Sequence, residues 1–367
     1  MKKEKILLLA FRSGQVKFFK NMQQLNENLD IVYTKYFFKI SLKSFKYLNK
    51  FDNSDAVKFA VDEFYAKTNN LIFPNFLIKS FFIFLSYFNY IRYFKILDND
   101  YDKVLIWNGG KFRQRIAIEI AKLLDIKVYY YENGLMPNRI VFDNKGINYD
   151  NSVPRDRSFF ESYQNDKKLP TKLIPRISKH KDKFEIEKNP LPEKYIFVPF
   201  QVDYDTQILS QSPWIKSMRD LFDAIEYVCS KSKYHFILKE HPSSHINYPD
   251  LHNRAKKLNN VSFENGYDTQ NLIENSIAVI TINSTVGVES LLFSKKVIIL
   301  GNAFYNIEGI SFGVKNKDEL LNIVNNIENI EFNKELVDSF LKYLYYDYLV
   351  AKDEDMYKNF IKRLSID

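Results

Sequence analysis

The stretch FVPFQVDYDTQIL, Phe197–Leu209, begins as a strand and ends as something else. Tyr195 to Phe200 is apolar and β-prone, the pattern of a strand buried on both faces. Gln201, Asp203, Asp205, Thr206 and Gln207 then crowd polar groups where the strand should end. A solvated turn needs polar residues anyway, so this loop alone does not establish a reaction centre. A helical pattern follows at Trp214–Lys231. Strand, polar loop and helix together form the repeating unit of a parallel α/β sheet.

The same unit recurs along the chain. In the first half, strands are expected near Lys5–Ala10, Asp30–Tyr33, Lys103–Trp107 and Lys127–Tyr131. FRQRIAIEIAKLLD, Phe112–Asp125, is an amphipathic helix between the last two. In the second half, strands are expected near Tyr195–Phe200, Tyr234–Lys239, Val261–Phe263, Ala278–Thr281 and Lys296–Leu300, with a further helix at Val286–Phe293. The charged, proline-bearing stretch Ile177–Lys194 reads as a linker, and the chain from Lys334 onward reads as helical. The expected division is an N-terminal Rossmann-like domain over 1–185, a C-terminal one over 186–340 and a helical tail over 341–367. Two such halves suggest the GT-B architecture, in which strand ends from both domains face one cleft.

Bulk properties narrow the partners. The 367 residues, 46% of them hydrophobic, suffice for two domains of ordinary size. The single cysteine, Cys229, excludes an internal disulfide framework and sits at helical spacing from Ile225, as a core residue would. Of the net charge of +8, residues 1–100 carry a surplus of seven, with 16 Lys/Arg against 9 Asp/Glu. An acidic partner for this part follows, with anionic lipid or acidic sugar favoured over nucleic acid, for which no motif is present. The start, KKEKILLLAF, has too short an apolar run for a secretory leader, so a cytoplasmic chain is expected. The aromatic stretch Leu71–Phe94 is interrupted by Lys79 and falls short of the ~20 apolar residues that spanning needs. It is expected as a buried helix or one lying on a membrane surface.

Four polar clusters each follow an expected strand: Glu132–Gly134 in YYYENG, the FQVDYDTQ loop, His241 and Pro242 in FILKEHPSS, and Asn283 to Gly287 in AVITINSTVGVES. Ser284 or Thr285 serves as a helix N-cap, and the same helix end can bind phosphate, with Gly287 allowing close approach. His241 precedes a proline and is held extended, suited to phosphate donation or proton transfer. HPSSH lacks the further ligands a metal needs. A carboxylate from each half, Glu132 and one of Asp203 and Asp205, is the equipment of retaining sugar transfer.

The series W-N-G-G, E-N-G, Q-x-D-x-D-T-Q, H-P, N-S-T-V-G-x-E-S and G-N-A-F-Y, from Trp107 to Tyr305, resembles the bacterial capsule-polysaccharide synthesis family. That family includes retaining transferases of Kdo, 3-deoxy-D-manno-oct-2-ulosonic acid. The resemblance implies a CMP-activated 2-ulosonic acid donor, a glycan or lipid-linked acceptor, no metal and no other cofactor. It implies that Asp205 is the nucleophile, Glu132 the second cleft carboxylate and His241 the H-P histidine. Asn283, Ser284, Thr285 and Gly287 then form the nucleotide-phosphate loop, with Gln201 and Gln207 at the donor. Asp203 ranks second as nucleophile. A peripheral place at the inner face of the inner membrane fits the basic N-terminal part. Two other readings remain open: a polyol-phosphate transferase of the teichoic-acid type, which needs no covalent aspartate, and a non-enzymatic capsule assembly or export factor.

Overall fold

Parallel strands joined by helices build two sheets in the computed structural model, which describes residues 4–37, 39–68, 73–174 and 188–366. The chain divides into two compact units. The first holds residues 1–134, 138–152 and 348–367; the second holds 135–137 and 153–347.

The first unit runs β1 (Ile6–Ala10), α1 (Ser13–Gln23) and β2 (Leu29–Tyr33), then a 3-10 segment at Leu42–Lys50 and helices α2 (Ser54–Lys67) and α3 (Asn75–Leu97). It continues with β3 (Lys103–Trp107), α4 (Phe112–Leu123), β4 (Lys127–Asn133) and β5 (Arg139–Asp143). The second unit contains α5 (Arg157–Ser162), β6 (Tyr195–Pro199), α6 (Thr206–Gln211), α7 (Met218–Cys229) and β7 (His235–Lys239). It goes on through α8 (Pro249–Ala255), β8 (Val261–Phe263), α9 (Thr269–Asn275), β9 (Ala278–Thr281), α10 (Thr285–Leu292) and β10 (Lys296–Ile299). It ends with β11 (Phe312–Gly313), α11 (Lys317–Asn326) and α12 (Lys334–Tyr343). The chain then returns to the first unit with β12 (Val350–Ala351) and α13 (Met356–Ile366).

The first sheet has the order β12-β5-β4-β3-β1-β2, and the second has β11-β10-β9-β6-β7-β8. In the first, β1 to β4 are parallel, β5 runs antiparallel to β4 and β12 antiparallel to β5. All pairings of the second are parallel. Successive side chains of a strand point to opposite faces, and β1 shows it. Leu7 and Leu9 pack with Tyr93, Phe94 and Ile116 from α3 and α4, whereas Leu8 and Ala10 pack with Phe19, Met22 and Phe360 from α1 and α13. In β6, Ile196 and Val198 join Leu221 and Phe222 of α7, while Tyr195 and Phe197 join Leu272 and Val286 of α9 and α10. Each sheet is therefore covered on both faces, and each unit is a Rossmann-like α/β layer, the fold expected from the alternating pattern.

The boundaries differ from those expected. The chain leaves the first unit near residue 152, well before 185, and its last helix belongs with the first unit instead of forming a separate tail. The reason is non-local. Val350 and Ala351 pair with Ile140 and Arg139, and Phe360 and Leu364 fill the core beside Leu8 and Phe142. Residues 177–187 of the expected linker, with His180, lie outside the described residues. Cys229 is buried on α7, as expected. No described helix is long and apolar enough to cross a membrane. The 23-residue α3 buries its C-terminal half, through Tyr90, Tyr93, Phe94 and Leu97, and exposes much of its N-terminal half.

Candidate active site

In the second unit β6, β7 and β9 are parallel neighbours, so the loops that follow them leave from one edge of the sheet. That edge carries the FQVDYDTQ, H-P and N-S-T-V-G clusters, where open α/β sheets bind ligands.

After β6 the chain turns instead of remaining extended, and this separates the two aspartates. Asp203 is buried; one carboxylate oxygen accepts from the Met218 N–H at 2.8 Å and the other from the Tyr248 hydroxyl. It anchors the start of α7 and the loop before α8, with both oxygens occupied, whereas Asp205 keeps one oxygen open. Asp205 is the N-cap of α6: its Oδ1 accepts from the Gln207 N–H at 2.8 Å. Half-buried, it takes no hydrogen bond on Oδ2 from any described residue. The helix end thus fixes one carboxylate oxygen and leaves the other available.

Gln201 and Asn283 do not reach outward as donor-binding residues. Gln201 Nε2 donates to Asn283 Oδ1 at 3.1 Å, and Asn283 N–H donates back to Gln201 Oε1 at 3.2 Å. Asn283 Nδ2 also donates to the carbonyls of Gln207 and Gln211. This buried amide pair ties the end of β6 to the end of β9 and fixes α6 against both. Gln207 contributes its backbone to the network, N–H to Asp205 and C=O to Asn283.

Ser284 caps α10, its hydroxyl accepting from the Val286 N–H at 3.2 Å. Thr285 is the first residue of that helix. Gly287 is a correction. Its neighbour is a tyrosine, not open space for a ligand: an added Cβ would stand 2.6 Å from Cζ and 2.7 Å from Cε2 of Tyr305. The Tyr305 hydroxyl donates to the Ser284 carbonyl at 2.5 Å, so the ring braces the capping turn. Gly287→Ala should destabilise the protein by about 2 kcal/mol through overpacking. Chemical denaturation would measure the loss, and Tyr305→Phe added to it should recover part. Equal stability of Gly287→Ala and wild type would contradict this packing role.

A cavity of about 350 Å³ opens on the same edge, lined by Phe200, Lys239, Glu240, His241, Asn265 and Glu289 among others. His241 is the one predicted site residue that lines it. Its Nδ1 accepts from the Ser243 N–H at 3.1 Å, which leaves Nε2 to carry the proton of the neutral ring. Sequence reasoning missed the remaining lining groups. Glu289 stood in the quoted N-S-T-V-G-x-E-S series without a role, and one turn of α10 past Thr285 brings it to the cavity. Burial pushes the Lys239 ammonium down to about 8, against Asp268, while its Nζ donates to the Asn265 carbonyl at 2.7 Å. Glu240 is held by His252 Nε2 at 2.7 Å, a pairing 12 residues apart that no local signal announces. Among the described residues, no group of three or more His, Cys, Asp or Glu is gathered to hold a metal ion.

Glu132 belongs to the first unit, at the end of β4. Its carboxylate accepts from Trp107 Nε1 at 3.0 Å, Asn108 Nδ2 at 2.7 Å and the Asn133 N–H at 2.7 Å. The W-N-G-G turn that supplies two of these donors is tightly shaped. Asn108 and Gly109 adopt φ of 64° and 82°, and Asn108 Oδ1 accepts from the Gly110 N–H at 2.9 Å. The quoted motif is thus the clamp that orients the glutamate.

A family model described as capsule polysaccharide biosynthesis protein matches residues 102–179 and 163–352. Protein FixF of Sinorhizobium fredii is 36% identical over 219 residues, covering 58% of this chain and 52% of FixF. The chain therefore spans about half the length of that relative. The capsule polysaccharide export protein KpsS of Escherichia coli is 24% identical over 274 residues, covering 58% of this chain and 70% of KpsS. Among solved structures, KpsC of Thermosulfurimonas dismutans, a β-Kdo 2,7 transferase, aligns with a TM-score of 0.48 at 14% identity, covering 98% of this chain and 99% of that one.

Proposed function

The chain belongs to the capsule polysaccharide biosynthesis protein family, and from that premise we propose that it is a retaining glycosyltransferase. In this reading it moves Kdo or a related 2-ulosonic acid from a CMP-sugar to a glycan or glycolipid acceptor in surface-polysaccharide synthesis. The observation that carries the reading is the Asp205 carboxylate. One oxygen is fixed by a helix N-terminus and the other is open, at the strand edge where ligands of parallel sheets bind.

The chemistry then runs in two displacements. Asp205 Oδ2 forms a bond to the anomeric carbon as its bond to the CMP phosphate oxygen breaks. CMP departs with that electron pair as a phosphate monoester. His241 and the N-terminus of α10, with the Ser284 and Thr285 hydroxyls, stabilise the departing phosphate. An acceptor hydroxyl next attacks the same carbon, Asp205 leaves as carboxylate, and the hydroxyl proton passes to Glu132. Two inversions retain configuration. Gln201 and Asn283 act by holding the two loops in register. No step calls for a metal.

CMP should raise the melting temperature without added metal, because a ligand that binds the native state stabilises it by mass action. A hundredfold excess over the dissociation constant corresponds to about 2.7 kcal/mol. Thermal denaturation with millimolar CMP, with and without EDTA, checks this. No shift, or a shift abolished by EDTA, would count against the proposed site. A panel of CMP-ulosonic acids tested for hydrolysis or transfer then identifies the donor. Turnover of a CDP-polyol instead would move the reading to phosphate transfer.

A further inference from the structure

The first half of α3 and the segment before α2 form a surface that the sugar chemistry does not use. Phe76, Leu77, Phe81, Phe84 and Phe88 are exposed, Phe76 by 68% and Phe84 by 67%. At 100° per residue they occupy an arc of about 140° on one side of the helix. The 3-10 segment Leu42–Lys50 packs beside this helix. The Tyr90 hydroxyl donates to the Ser44 carbonyl at 2.7 Å, and the Phe51 ring stacks on Tyr90 and meets Tyr87 edge-on. It adds exposed Leu42 and Phe45, with Ile40 just before it.

Monomeric soluble proteins rarely expose so many large apolar side chains together. The charge around them is mostly positive, with Asp98 meeting Lys43 at 3.3 Å. Residues 35–50 hold Lys35, Lys39, Lys43, Lys46 and Lys50 and no Asp or Glu, and all five are exposed. Lys79 is exposed on α3 itself. Exposed aromatic rings amid lysines match the membrane interface, where rings sit at headgroup level and long cationic chains reach the lipid phosphates. A second copy of this face would set lysines against lysines, which disfavours a two-fold contact.

We propose that this face docks the protein on an anionic lipid bilayer surface, with the α3 rings in the headgroup layer and the lysines of 35–50 on lipid phosphates. The helix lies on the bilayer and does not enter it end-on, because its second half is fixed in the core of the first unit through Tyr93, Phe94 and Leu97. This inference stands apart from the glycosyltransferase reading, since lipid alone is the partner.

Flotation of the full chain with sugar-free vesicles tests it. Vesicles of phosphatidylcholine with 30% phosphatidylglycerol should bind about tenfold more protein than phosphatidylcholine alone, and most of that gain should vanish at high salt. The combined change Phe81→Ser, Phe84→Ser and Phe88→Ser should lower binding about tenfold at an unchanged melting temperature, because those rings are exposed. Should that variant fold poorly, Lys39→Glu with Lys46→Glu gives a second check and should remove the phosphatidylglycerol preference. Equal binding to both vesicles, no binding, or variants that bind like wild type would overturn the proposal. So would a concentration-dependent dimer in size-exclusion chromatography that the serine variant abolishes, which would assign the face to a second copy.

Discussion

Asp205→Asn should lose transfer by about three to five orders of magnitude, because an amide can neither attack the anomeric carbon nor leave from it as a carboxylate. That loss corresponds to about 4–7 kcal/mol of transition-state stabilisation. The fold should hardly notice. Asparagine caps helices as well as aspartate does, and its Oδ1 can still accept from the Gln207 N–H that Asp205 now receives at 2.8 Å. CMP binding should also survive, since His241 and the Ser284 cap are untouched. Asp203→Asn reverses the pattern. Its second oxygen would become an NH₂ facing the Tyr248 hydroxyl in a buried site, so stability should fall while any residual folded enzyme keeps its nucleophile. Intact-protein mass after incubation with donor should show one added ulosonic acid, and peptide mapping should place it on Asp205. Near-normal transfer by Asp205→Asn would sink the covalent mechanism and return that side chain to helix capping alone.

That the two aspartates part company was beyond the reach of strand periodicity. Alternation puts residues 203 and 205 on one face only while the strand persists, and β6 ends at Pro199. Beyond it, the partners decide: Met218 and Tyr248, 15 and 45 residues away, draw Asp203 inward. Gly287 teaches the same lesson. Its place in the motif was legible, but the tyrosine filling its missing Cβ lies 18 residues on. The central strands were legible because each is a short apolar run with polar punctuation. Most expected strands fall within a residue or two of the observed ones, though β4 runs on to Asn133. β5, β11 and β12 were not read. Two-residue β11 and β12 have no pattern of their own, and β5 is set by pairing with β4 across the Asn133–Arg139 turn. There Gly134 is required because an added Cβ would collide with the Arg139 carbonyl. The place of the C-terminal helix was not legible because the partners of Phe360, Phe18 on α1 and Phe142 on β5, are hundreds of residues upstream.

Glu132→Gln should cut transfer by about 10²–10⁴-fold, the range of a positioned proton acceptor, and it should do so with the sugar trapped on the protein. If Glu132 accepts the proton of the incoming hydroxyl, the first displacement needs only Asp205 and the leaving phosphate, so the glycosyl adduct forms and then waits. The geometry adds a cost that a simple loss of charge would not. Three neighbours of the carboxylate are donors: the Trp107 indole, the Asn108 amide and the Asn133 N–H. A glutamine must turn its NH₂ toward at least one of them. Asn108 cannot readily flip to accept, because its Oδ1 is already committed to the Gly110 N–H at 2.9 Å. The mismatch should cost about 1–3 kcal/mol of local stability, read as faster amide exchange in residues 107–110 and 132–134. Glu132→Asp keeps the charge but withdraws it from the clamp, and should fall between wild type and glutamine in rate. Adduct accumulation in Glu132→Gln but not in Asp205→Asn would place the two carboxylates in successive steps. Wild-type turnover by Glu132→Gln would reduce the W-N-G-G clamp to a structural turn.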